Sequence, residues 1–158
     1  MSAAASLKKS GGARSAARLA AVQALYQIDK SGGPAARVVE EFLEHRLGCE
    51  IDGDVYARAD ETLFADVVRG VCERLGEIDP LIIGALSADW PMERVELVIK
   101  MVLRAGVYEL LARPDVPVTV IITEYVDVTH AFYGGNEPGF VNGVLDRIAR
   151  VVRPHGGG

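Results

Sequence analysis

The chain has 158 residues, 49% of them apolar and 25% charged, the composition of a soluble domain able to bury its own core. No apolar run approaches the roughly eighteen residues of a membrane span, and Cys49 and Cys72 form no CxxC or Cys/His cluster, so neither zinc nor a disulfide framework is indicated. The net charge of −5 argues against a generic nucleic-acid binder.

Residues 1–13 read as a flexible basic arm. The Ala-rich run Arg14 to Lys30 predicts a helix, stopped by Ser31-Gly32-Gly33-Pro34. A second helix is expected over Ala35 to Arg46, with Val38, Val39, Phe42 and Leu43 on its apolar side. "GCEIDGD" reads as a loop, followed by a third helix from about Asp54 to Leu75. Asp79-Pro80 has the form of a cap with proline at the first helical position, opening a short helix through Leu86.

Pro91 repeats that device ahead of a helix reaching about Ala112. Its "LVIKMVLRAGVYELL" is apolar nearly all round, as a central helix requires, with Lys100 and Arg104 marking a wet edge. Glu109 falls on its apolar side, where a capped or paired structural acid is expected in preference to a catalytic one. The β-branched run Val118 to Thr123 favours a strand by propensity, but the spacing Val118, Ile121, Ile122, Tyr125, Val128, Phe132 favours a helix, which is the reading adopted. Gly134-Gly135 ends it, Asn136 is placed to cap the last helix, and 153–158 reads as a frayed tail. The expected fold is all-α, about seven helices in one domain over 14–152.

No nucleotide-binding loop, nucleophile or metal-ligand spacing is present, and no cofactor is indicated. Asp127 and His130 share a helical face, yet a solvated surface pair explains them. The chain does not read as an enzyme.

Binding has more support. Lys8, Lys9, Arg14 and Arg18 give the first 28 residues a charge of +4, which leaves −9 on the remaining 130. Such an arm is either a local electrostatic site or a solubilising tail. Arg14 and Arg18 lie four apart, and guanidinium forks match phosphate oxygens. Tyr26 is either a stacking ring or a core tyrosine. In "GFVNGVLDRIAR" the stripe Val141, Val144, Leu145, Ile148, Val152 buries one face, with Phe140 beside Arg147 at its edge. Phe140 and Asn142 suit an unstacked base; alternatively they are a core ring and a cap-type residue.

Three segments, "ARLAAVQALYQID", "VLRAGVYELLARPDVPVTVIITEYVDVTHAFYGG" and "FVNGVLDRIAR", together resemble the NusB family of bacterial transcription antitermination factors over nearly all of residues 14–152. The resemblance implies two packed helical bundles and no catalysis; the cytoplasmic location is expected from the sequence itself, whose N-terminus lacks the apolar core of a signal peptide. It implies binding of single-stranded boxA leader RNA, chiefly of ribosomal RNA operons, together with the ribosomal protein NusE. The pair would help assemble a termination-resistant RNA polymerase complex. The implied RNA face comprises Arg14, Arg18, Tyr26, Phe140 and Asn142, extended by Lys8 and Lys9 on the arm. A homodimer or adaptor whose RNA face is masked is the alternative. Two departures stand out: the N-terminal arginine run is reduced to two in "GARSAAR", and Gly139 occupies a position that is often basic. Both remove phosphate partners, so weak binding by the isolated chain is expected.

Overall fold

The computed structural model describes residues 12–45, 50–51, 54–55 and 59–155. Among them are seven α-helices: α1 Gly12–Ser31, α2 Ala35–His45, α3 Glu61–Glu73, α4 Leu75–Ala85, α5 Leu97–Ala112, α6 Val118–His130 and α7 Glu137–Val152. The all-α expectation holds. The chain divides into two compact units, Met1–Arg69 and Gly70–Gly158, and α3 contributes to both.

In the first unit, α1 buries Ala17, Ala20, Ala21, Val22, Ala24 and Leu25, and α2 buries Val38, Val39 and Phe42. The rings of Phe42 and Phe64 stack with centroids 5.5 Å apart, joining α2 to α3. Small residues on α1 suit close approach, and each large buried aliphatic or aromatic side chain contributes about 1.5–3 kcal/mol. Gly32, at φ 70°, turns the chain out of α1 with its N–H donating to the Ile28 carbonyl, a left-handed cap that β-carbon sterics disfavour elsewhere.

Two boundaries differ from expectation here. In place of the loop, Glu50–Ile51 and Asp54–Val55 form a short antiparallel ladder, and α3 starts at Glu61. The cap is Asp60, whose Oδ1 accepts from the Leu63 amide at 2.9 Å. Its own amide donates to the Ala13 carbonyl, which ties the start of α3 to the first turn of α1.

In the second unit α5 is the central helix, packed against α4, α6 and α7. Ten of its residues are buried, from Ile99 to Leu110. Glu109 is fully buried, accepts the Tyr125 hydroxyl and lies 3.9 Å from Arg113 Nε, as a paired structural acid. Segment Val118–His130 is helical, because the long apolar stripe buries Ile121, Ile122, Tyr125 and Val128 at once.

Asp79-Pro80 is not a helix start. α4 begins at Leu75, so Pro80 sits inside it, forfeiting one backbone bond while Ile78 and Ile82 are fully buried on either side. Asp79 instead receives both Nε and Nη2 of Arg104, at 2.9 and 2.8 Å. Burial pushes the nearby Cys72 thiol up, with Arg104 opposing, so this cysteine is poorly nucleophilic. After Pro91 comes only a 3-10 turn, Met92–Arg94; Val95 is buried in extended backbone and delays α5 to Leu97.

Candidate nucleic-acid interface

The expected RNA residues fall in both units. Lys8 and Lys9 lie outside the described residues. Arg14 is exposed in the first turn of α1. Arg18 is not: it is 3% exposed, because the spacing that pairs it with Arg14 also sets it in the buried row of Ala21, Val22 and Leu25. This corrects the expectation of an open phosphate partner at Arg18.

Tyr26 is 36% exposed, and Lys30 Nζ lies 5.9 Å from its ring centroid. The cation one turn along supports the ring by cation–π attraction of about 0.5–1 kcal/mol at an exposed site. Lys30 was missed in the sequence although its four-residue spacing from Tyr26 was visible. Arg14 and Tyr26 are twelve residues apart, about 18 Å along α1, so a chain touching both must run along the helix.

In the second unit α7 carries the rest. Its buried face is Val141, Val144, Leu145 and Ile148, none more than 1% exposed. Asn136 occupies the cap position without a side-chain cap bond, and its carbonyl accepts the Phe140 amide at 3.1 Å. Phe140 is half-buried at the edge of the stripe, neither plain core nor open surface. Asn142 is exposed. At 100° per residue the two point about 160° apart, on opposite flanks of the buried face, so one nucleotide cannot use both in the way the motif suggests.

Arg147 is exposed, and its Nε donates to the Ala85 carbonyl at 2.9 Å. A Cβ at Gly139 would meet nothing within 4 Å. No group of three or more His, Cys, Asp or Glu that could hold a metal occurs among the described residues, and no helix among them is long and apolar enough to cross a membrane.

The sequence matches the NusB family over residues 15–150. It is similar to the transcription antitermination protein NusB of Rhizobium rhizogenes, 52% identical over 145 residues that cover 92% of this chain and 91% of the relative. It is 50% identical over 147 residues to that of Sphingopyxis alaskensis, covering 93% and 99%. Among solved structures, T. maritima NusB superposes with a TM-score of 0.73 at 33% identity, covering 87% of this chain and 90% of that one. A chain from a crystal structure of antitermination factors NusB and NusE in complex with dsRNA superposes with a TM-score of 0.68 at 26% identity, covering 87% and 96%.

Proposed function

The chain belongs to the NusB family and is a transcription antitermination factor, and from that premise we propose that it binds boxA-type leader RNA jointly with NusE through Arg14 and Tyr26 on α1 and Phe140 and Asn142 on α7. It works without a catalytic step, in the cytoplasm, as one component of a termination-resistant RNA polymerase complex. The observation that carries the reading is the half-open Phe140 ring at the start of α7, on the same flank of the helix as the exposed Arg147. A ring there offers a stacking surface to an unpaired base, which favours single-stranded RNA over duplex. Arg18 is left out of the contact set because it is buried.

Fluorescence anisotropy of labelled boxA-like RNA, single-stranded and duplex, with and without NusE, tests this. The expected result is selective single-strand binding that tightens with NusE. Phe140→Ala should then weaken it by about tenfold, since one stacked base contributes about 1–3 kcal/mol. Equal affinity for scrambled RNA, or no effect of NusE, would overturn the proposal.

Gly139→Arg should strengthen binding by about fivefold and steepen the log–log salt slope by about 0.7, the increment for one single-strand phosphate contact. The open space at Gly139 admits the side chain. Stability should hardly change: removing a helical glycine gains about 0.5–1 kcal/mol, while a cation near the helix N-terminus costs about 0.3–1 kcal/mol. An unchanged salt slope in the same titration would show that no phosphate passes this position.

A further inference from the structure

We infer that Arg147, lying across Gly143, is the phosphate-binding partner of the Phe140 ring and that these three residues form one nucleotide site. The inference rests on the RNA-binding reading and deepens it by replacing Asn142 as the group that completes the site at Phe140.

Helix geometry sets the grouping. Relative to Phe140, Arg147 is rotated by only about 20° and Gly143 by about 60°, whereas Asn142 is rotated by about 160°. Phe140, Gly143 and Arg147 therefore line one flank of α7, and Asn142 shares the other with Asp146.

The Arg147 side chain is held. Its Nε donates to the carbonyl of Ala85, the last residue of α4, at 2.9 Å. Its Nη1 lies 3.7 Å from where a Gly143 Cβ would stand. The guanidinium thus reaches back along α7 by one turn, toward Phe140. With Nε committed to the carbonyl, the Nη donors remain for a phosphate, and the tether removes part of the rotamer freedom that binding would otherwise have to freeze. From Gly143 to Phe140 the helix advances about 4.5 Å, within the separation of a base from its own phosphate. The neighbouring Arg150 is in a different situation, since its Nη2 is paired with Asp146 at 2.8 Å.

Gly143 is the permissive element. A methyl group would make ordinary contact with the guanidinium, but a branched side chain would occupy its place. A glycine inside a helix otherwise only weakens it.

The test is the same anisotropy titration with NusE present, on wild type, Arg147→Gln, Arg147→Lys, Gly143→Leu and Phe140→Ala, each at several salt concentrations and each with a thermal melt. Arg147→Gln keeps an N–H donor but no charge; it should lose about five- to tenfold in affinity and flatten the salt slope by about 0.7. Arg147→Lys should keep the slope and lose a smaller factor. Gly143→Leu should lose about fivefold with Arg147 still present, and should add little to Arg147→Gln in the double variant. If Arg147 only caps α4, Arg147→Gln would lower the melting temperature and leave affinity and slope unchanged. Loss in Phe140→Ala with none in Arg147→Gln overturns this inference alone. No loss in either overturns the RNA face on α7 as well.

Discussion

Replacing Arg153 by Met is expected to destabilise the protein by about 3 kcal/mol, although the residue lies just past the last helix in a segment read as frayed tail. Its guanidinium collects carbonyls at the end of α5 and the turn beyond. Nε donates to Leu110 at 3.0 Å, Nη1 to Val116 at 2.5 Å, and Nη2 to Arg113 at 2.7 Å and Glu109 at 3.3 Å. Helix C-termini expose carbonyls and carry partial negative charge, so a cation there satisfies both needs. The Glu109 and Arg113 carbonyls also accept the amides of Arg113 and Val116, so the dependence is sharpest at Leu110 and Val116.

Met keeps much of the volume and removes the donors, leaving part-buried carbonyls to find water. For a chain of this size the loss corresponds to a melting temperature lower by about 6–12 °C. Arg153→Lys, a single point donor in place of a fork, should fall between the two. Circular dichroism melts and urea titrations would measure this. A loss below about 1 kcal/mol for Met would mean that water replaces the guanidinium at little cost.

Gly70→Ala is expected to be destabilising by about 2–3 kcal/mol, against the usual benefit of Ala over Gly in a helix. A Cβ at Gly70 would fall 2.1 Å from Tyr108 Cζ, 2.2 Å from Cε1 and 2.6 Å from the hydroxyl oxygen. Tyr108 is 7% exposed, so its ring has little room to swing aside without disturbing the packing around it. The gain of about 1 kcal/mol in helix propensity is outweighed by the overlap.

A double-mutant cycle isolates the cause. In a Tyr108→Leu background, where the overlapping atoms are gone, Gly70→Ala should cost close to nothing or stabilise. Additive losses in the cycle would show that the overlap is not what makes glycine necessary there.

The helices and their buried faces were legible in the sequence because periodicity is a local property. Val141, Val144, Leu145 and Ile148 mark the α7 core face from spacing alone. The stripe through Ile121, Tyr125 and Val128 outweighed the strand propensity of its β-branched residues. The opposition of Phe140 and Asn142 was equally available, since it needs only 100° per residue, yet the contiguous motif "FVNG" obscured it. Boundaries were less legible where two residues offered the same local device. Asp60 and Asp79 both resemble caps, and only the fold makes the first a cap and commits the second to Arg104.

What tertiary structure alone decided concerns partners distant along the chain. Arg14 and Arg18 look alike in sequence, but the buried row of α1 closes over one and leaves the other open. Arg147 meets Ala85 across 62 positions, and Arg153 meets Leu110 across 43. A charged side chain's role depends on whether it ends in water, against a carboxylate or on a carbonyl, and that environment is assembled by packing. Spacing sets the face on which a residue lies; the element that packs against that face sets what the residue can bind.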